Sequence, residues 1–284
     1  MENRDSGDEG GVEVRSVDVD SAKPVKNKMD VEKWLEHFRK NRLNRVEPDW
    51  EAPIEISGQQ RSDLERSLQQ FQLGDGGGPA SLIAWNRENF LGGDDVMRLL
   101  VGMWFKEEEE HSRLLGGALK RFGVTPISNH WSFSLFCKVR VLGGVKFELY
   151  ALLLTEITSH VYHKMLRRHC PDAAVKGVCQ MIIRDEAGHI AFHRARLGWV
   201  KGRRYGFCWE AYFIARGLAA GTVLWVNHGK ALRNFGATSF EFYRGIWRGM
   251  RTFTRGLRSD LARGRVVPAD FFRRERGLRE KVAS

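Results

Sequence analysis

The residues best suited to chemistry form two E-x-x-H motifs, one containing Glu108 and His111 and the other Glu186 and His189. In a helix, residues three positions apart are neighbours on one face, so each motif would place a carboxylate beside an imidazole. Such a pair can bind one side of a metal ion. One motif of this kind is expected by chance in a chain with this glutamate and histidine content, so the positions of the two motifs must be compared.

Two further carboxylates, those of Glu156 and Asp75, are predicted to lie level with the motifs when the helices pair as antiparallel hairpins. Glu156 lies about 15 residues before the turn at Pro171 and Glu186 about 15 after it, which is roughly 22 Å along each helix at the usual rise. The preceding predicted turn centres near Leu91 and Gly92, and Asp75 and Glu108 lie at about equal distances in sequence from it, so the two residues should face each other. One carboxylate on each of two helices, with E-x-x-H on the other two, is the arrangement of a two-metal carboxylate centre.

The predicted centre suits iron, with manganese as the alternative. Carboxylate oxygens with two imidazoles favour these metals over copper, and the four cysteines include no C-x-x-C pair that would indicate a thiolate site. Four carboxylates meeting in a helical core would repel each other unless cations neutralised them. The predicted metal ligands are Asp75, Glu108, His111, Glu156, Glu186 and His189.

The ligand from the first helix has alternatives. Asp75 is followed by Gly76, two more glycines and Pro79, residues that disfavour a continuous helix. Glu88 could substitute, although it lies too close to the predicted turn to reach the height of Glu108. The first helix could also contribute no ligand.

The acidic and histidine neighbours of the predicted ligands are given structural roles. Glutamates beside Glu108 are predicted to form a solvated face: Glu107, Glu109 and Glu110. Three histidines are predicted to be exposed or hydrogen-bonded, with service as an extra ligand or proton carrier as the alternative: His160, His163 and His193. Glu156 differs, because it lies within the apolar run YALLLTEITSHVY, where an unpaired carboxylate would be costly.

Helical patterns account for most of the chain. Residues 1–28 are predicted to be a disordered acidic arm, and residues 29–58 a short helix from about Val31 to Arg42 with a linker. Residues 59–200 are predicted to form four helices in two antiparallel hairpins, joined by a crossover of about twenty residues. The predicted helices are Gln59–Phe90, Asp94–Phe122, Val145–His169 and Asp172–Val200.

These motifs resemble the ferritin-like superfamily, whose members include rubrerythrins, ferritins, bacterial di-iron oxygenases and the ribonucleotide reductase small subunit. The likeness covers about residues 60–200. F-Q-L-G-D resembles the rubrerythrin glycine–glutamate step, with Asp75 in place of the glutamate, and the last helix carries the family's D-E-x-x-H form, beginning at Asp185. The resemblance implies an all-α, ferritin-like four-helix bundle in which Asp185 hydrogen-bonds a ligand histidine, either His111 or His189.

The resemblance also implies an activity. A di-iron protein of this kind would be an oxygen-activating oxidoreductase of the hydroxylase, N-oxygenase or desaturase type, acting on a small molecule that the sequence does not identify. Because no rubredoxin-like C-x-x-C pair is present, it would need an external electron donor. The alternative, motivated by the interrupted first helix, is a degenerate bundle that acts as an interaction or membrane-surface module.

That alternative would use residues 201–284, expected to form two or three further helices rich in basic and aromatic residues. From Arg194 onward the chain has 20 basic and six acidic residues. Such a surface could meet nucleic acid, anionic lipid or an acidic partner, or be a solvated face, and the charge alone does not choose among these. Anionic lipid or an acidic partner is the expectation, and nucleic acid is not expected. The acidic N-terminus and the lack of a long uncharged stretch predict a cytoplasmic protein, or one bound peripherally to a membrane. An apolar stripe is predicted to pack against the bundle, with a lipid-inserting face as the alternative: Phe207, Tyr212, Phe213, Leu218, Val223 and Trp225.

Overall fold

The computed structural model describes residues 31–76, 95–198 and 205–262, and within these ranges the secondary structure is entirely helical, as predicted. The side chains of residues 31, 95–98 and 139–146 are outside this description. The predicted N-terminal arm, the turn at Leu91 and Gly92, and Glu88 also lie outside the described residues. The helices are α1 (Val31–Leu43), α2 (Gly58–Gly76), α3 (Asp95–Arg121), α4 (Trp131–His169), α5 (Ala173–Gly198), α6 (Phe207–Asn234) and α7 (Ser239–Ala262).

Helices α2 to α5 pack as two pairs, α2 with α3 and α4 with α5, and α3 also packs on α5. Leucines of α2 and α3 and aliphatic residues of α4 and α5 meet in one hydrophobic core. Helix α3 ends at Arg121, close to the predicted Phe122. Gly123 follows it in a left-handed conformation (φ 72°), and its N–H donates to the carbonyl of Lys120. The predicted turn at Pro171 is also confirmed, since α4 ends at His169 and α5 begins at Ala173.

The predicted start of the third helix near Val145 is wrong, because α4 begins at Trp131. The long crossover is therefore reduced to the short link between α3 and α4. Gly143 and Gly144 lie just before the predicted start, yet glycine costs only about 1 kcal/mol relative to alanine within a helix, so a helix can continue through them. His130 precedes the helix in an extended conformation.

Helix α1 lies against α3 and near the second E-x-x-H motif. Its residues Leu35 and Phe38 are buried, and the Phe38 ring lies 5.9 Å from that of Phe192. A Cβ atom at Gly188 would overlap the ring of His37. The glycine inside the motif therefore permits α1 to approach α5 closely.

Helices α6 and α7 belong to the same hydrophobic core as the preceding helices. Helix α6 packs on α2 and α4, while α7 packs on α4, α5 and α6. The predicted packing stripe is confirmed for Phe213, which is fully buried, but is wrong for Phe207, Tyr212 and Val223, which are 82%, 53% and 56% exposed. The helix turns its small residues toward the core, and Gly217 contacts Met250 of α7. Within the described ranges, none of the helices combines the length and apolar character needed to cross a lipid bilayer.

Candidate metal centre

Five of the six predicted ligands form two overlapping groups. Asp75, Glu108 and His111 make one group, and Glu108, Glu156 and His189 make the other. Within each group the potential ligand atoms all lie within 4.8 Å of one another. Glu108 is common to both groups, so it would be a ligand in each group if cations were bound there.

Four helices supply these side chains, at the heights that the hairpin count predicted. Asp75 lies in the last turn of α2, Glu108 and His111 lie in the middle of α3, and Glu156 and His189 come from α4 and α5. The helix that contains Asp75 continues to Gly76, so the following glycines do not prevent it from facing Glu108. Glu156 and the motif of α5 come together because antiparallel helices keep residues equally distant from the turn at Pro171 at one level. The connection between α2 and α3 lies outside the described residues.

Each histidine turns its Nδ1 atom toward the centre. His111 Nδ1 lies 3.4 Å from Glu108, and His189 Nδ1 lies 2.9 Å from Glu108 and 3.2 Å from Glu156. The Nε2 atoms face other carboxylates: His111 Nε2 lies 3.2 Å from Asp185, and His189 Nε2 lies 2.8 Å from Glu107. A histidine held through one nitrogen by a carboxylate is oriented to offer the other nitrogen to a metal.

Glu107 was assigned to a solvated face by the sequence, and this prediction is wrong, because the residue is only 3% exposed. Its carboxylate lies against the Nε2 atom of His189, just as the carboxylate of Asp185 lies against the Nε2 atom of His111. The acidic run around Glu107 predicted exposure, although the buried residues Leu100, Trp104 and Leu114 lie on the same helix face and indicate burial. Glu109 and Glu110 remain near the surface, where they pair with Lys106 and Arg113.

The two outer carboxylates share one cation, Arg45, from the segment between α1 and α2. Its Nη1 donates to Asp185 at 2.8 Å, and its Nη2 lies 3.8 Å from Glu107. The Arg45 side chain is 14% exposed, and Asp185 is fully buried. Sequence reasoning did not find Arg45, since its partner Asp185 lies 140 positions away. With His111 and these charges around it, Asp185 has its pKa lowered from the ordinary value despite burial.

The sixth predicted ligand, Glu186, is buried beside two histidines. Its carboxylate lies 3.5 Å from His160 Nδ1 and 3.7 Å from His163 Nδ1. Glu186 Oε2 accepts no hydrogen bond from the described residues. A buried carboxylate oxygen without a donor is costly, and a cation would satisfy it. His193 lies edge-on to the ring of Trp104, and its Nδ1 lies 3.2 Å from Arg196 Nη2.

Trp104 orients the central carboxylates. Its indole Nε1 donates to Glu108 Oε1 at 2.9 Å and to Glu156 Oε1 at 3.2 Å, and the side chain is fully buried. Since the indole can only donate, it directs these oxygens without competing for a metal.

The electrostatics show an excess of negative charge at the centre. Burial, with the charge of Glu108, raises the pKa of Glu156 to about 8. Desolvation and the charge of Glu108 also raise the pKa of Asp75 well above its ordinary value. Burial disfavours the ionised form of Glu108 as well, but the charge of His111 and the hydrogen bonds from both histidines outweigh it and hold the Glu108 pKa well below the ordinary value.

The histidines titrate in the opposite sense. Burial would lower the pKa of His111 and His189, yet the charges of Glu108 and Glu156 respectively outweigh burial and raise both pKa values well above the ordinary one. The raised pKa values of Glu156, His111 and His189 all favour the protonated forms, which reduce the net negative charge of the centre. Divalent cations would supply the same positive charge, so the donor set fits a pair of hard divalent metal ions.

An apolar cavity of about 730 Å³ lies beside these carboxylates, with walls from α2, α3, α4 and α6. Asp75, Glu108, Glu156 and Glu186 lie on its surface, which is otherwise formed largely by aromatic and aliphatic side chains. Its volume is within the range of sites that bind small organic molecules.

Comparison with protein-family models, curated proteins and solved structures found no significant match to this chain.

Proposed function

We propose that α2 to α5 form a ferritin-like four-helix bundle that holds two iron ions and that the protein is an oxygen-activating oxidoreductase. The observation that carries the proposal is that two ligand groups share Glu108. Each group also contains a histidine whose Nε2 atom faces a buried carboxylate. Such ligation on four helices is the design of di-iron carboxylate centres. Manganese fits the same donors.

The cavity supports an enzyme rather than a storage role. When bound, ferrous iron in such a centre supplies electrons for the reduction of dioxygen. The residues of the chain hold the site in shape: Asp185 and Glu107 accept the histidine N–H groups, and Trp104 fixes two carboxylates. Apolar walls would exclude water from an organic substrate beside the centre. We assign the reaction to the hydroxylase, N-oxygenase or desaturase type, with electrons from an external donor.

Metal content tests the proposal. Protein loaded anaerobically with ferrous iron and then desalted is expected to retain about two irons per chain by elemental analysis. The double variant Glu156→Ala, Glu186→Ala should lose them. A matched control, Glu36→Ala with Glu109→Ala, removes two exposed carboxylates and should keep both irons. Absence of iron from the wild-type chain, or its retention by the first variant, would refute the centre.

A second candidate function, a membrane-surface module, is favoured by a row of arginines on α7. Arg244, Arg248, Arg251 and Arg255 recur at helical spacing, and Trp247 beside them is 46% exposed. Flotation with phosphatidylserine vesicles against neutral phosphatidylcholine vesicles tests it. Binding to the anionic vesicles that is lost in the triple variant Arg244→Gln, Arg248→Gln, Arg255→Gln would support this function, and equal behaviour toward both vesicles would exclude it.

A further inference from the structure

One face of α6 forms a long wall of the cavity. The residues of this face recur at helical spacing over three turns: Arg216, Ala219, Ala220, Val223, Leu224, Asn227 and His228. The wall has a cation at its first residue, small and aliphatic residues along its middle, and polar groups at its end. A ligand lying along α6 would therefore meet an apolar surface with a positive charge at one end.

Contacts with α4 place this charge relative to the candidate metal centre. The guanidinium of Arg216 lies 5.7 Å from the ring of Phe147 and 5.9 Å from that of Tyr150, whereas His228 lies 5.6 Å from Tyr162. Helices α4 and α6 therefore run in the same direction. Glu156 follows Phe147 by nine residues, which is about 13 Å along α4 at the usual helical rise.

The guanidinium of Arg216 has one buried donor without a partner. Its Nη1 donates to the hydroxyl of Tyr212 at 2.9 Å, but its buried Nε has no hydrogen-bond partner. Among the described residues, none forms an ion pair with Arg216. The Nε and Nη2 atoms of a guanidinium form a planar fork that matches two oxygens of a carboxylate or phosphate. A buried donor without a partner is costly, and an anionic ligand would satisfy it.

We propose that the cavity binds an elongated apolar molecule with one oxyanion head group, a carboxylate or a phosphate. The fork of Arg216 holds the head group, and the apolar body lies along Ala219, Ala220 and Leu224 toward Glu108 and Glu156. The assignment of this molecule as the substrate rests on the proposed function, because the reacting carbon would be the part of the chain beside the carboxylates. The binding itself depends only on the cavity and Arg216.

Calorimetric titration of metal-free protein tests the binding. The probes are decanoate, decyl phosphate and uncharged decan-1-ol. Decanoate, decyl phosphate or both should saturate one site per chain, and which of them binds identifies the head group. Arg216→Gln should lower the affinity for the anion by about tenfold or more, the loss expected when a charge-assisted pair of hydrogen bonds is removed. Arg216→Lys keeps the charge without the fork and should give an intermediate loss.

The controls separate recognition from folding. Decan-1-ol should bind wild type and Arg216→Gln equally, because it has no anionic head. Arg233→Gln removes an exposed guanidinium from the same helix, one that lies over the Trp225 ring, and should bind the anion like wild type. The proposal is overturned if neither anion binds the wild-type chain at one site, or if Arg216→Gln keeps the wild-type affinity for the anion. It is also overturned if Arg216→Gln weakens the binding of decan-1-ol as much as the binding of the anion. Since no iron is present, this result stands whatever the iron measurement gives.

Discussion

At the scale of single residues, Glu107 and Glu109 show how two neighbouring glutamates acquire different roles. Glu107 faces His189 of α5 and is buried, while the Glu109 side chain is 58% exposed and pairs with Lys106. Both lie in one acidic run. The difference arises from the helix face, because positions two apart in a helix point about 200° apart.

Glu107→Gln is expected to lower iron affinity by about 10- to 100-fold, because it weakens the acceptor that orients His189. Iron bound per chain is measured at controlled free ferrous concentrations. Glu109→Gln makes the same chemical change two residues away and should leave the affinity unchanged. Equal losses in the two variants would show that Glu107 acts only through the general charge of α3.

At the scale of helices, Asp172 joins the ends of α3 and α5. Its Oδ1 accepts the N–H of Val175, which caps the first turn of α5, and both of its oxygens accept from Arg121 Nη1 at 3.0 Å. Asp172 is fully buried, and the Arg121 side chain is 8% exposed. This contact fixes α5, and with it His189, at the height of α3.

Asp172→Ala is expected to lower the free energy of unfolding by about 3–5 kcal/mol, since it leaves a buried guanidinium unpaired and also removes a helix cap. Urea unfolding followed by circular dichroism measures the change. Asp172→Asn retains a capping oxygen and should lose less. Glu36→Ala, which breaks an exposed pair with Lys40, should have little effect. A small effect of Asp172→Ala would mean that packing alone aligns the two helices.

At the scale of the whole molecule, the C-terminal helices are fastened to the earlier ones by polar as well as apolar contacts. His228 of α6 lies 2.9 Å from the hydroxyl of Ser67 on α2, which lies 2.6 Å from that of Tyr162 on α4. The Phe71 ring packs on His228 at 4.4 Å. Burial is the main reason that the pKa of His228 falls to about 3, so the folded chain holds this imidazole neutral.

Protonation of His228 should therefore destabilise the fold below neutral pH. The unfolded chain binds a proton at this residue below pH about 6.5 and the folded chain does not until about 3, so stability is lost as pH falls through 6.5. Between pH 7 and pH 5 this linkage amounts to about 2 kcal/mol. Urea unfolding at both pH values should show that His228→Gln loses about 2 kcal/mol less than wild type. Identical losses would mean that His228 is already accessible to protons in the folded state.

The sequence alone determined the helical class and much of the candidate site. Helical periodicity and turn signals are local, so they located α1, the end of α3 and the turn at Pro171. The hairpin count then brought Asp75 to Glu108 and Glu156 to the second motif. These inferences needed only the rise per residue and the position of each turn. The roles of these residues as metal ligands stay predictions until iron is measured.

Tertiary structure decided which helix faces meet. It buried Glu107, exposed Phe207 and Tyr212, and placed Arg45 between two carboxylates. In the tertiary structure α4 also begins at Trp131 and includes Gly143 and Gly144. Burial and partner choice depend on contacts between residues far apart in the chain, and local patterns record them only in part. Helix propensity is weak enough, at about 1 kcal/mol or less per residue, for those contacts to override it.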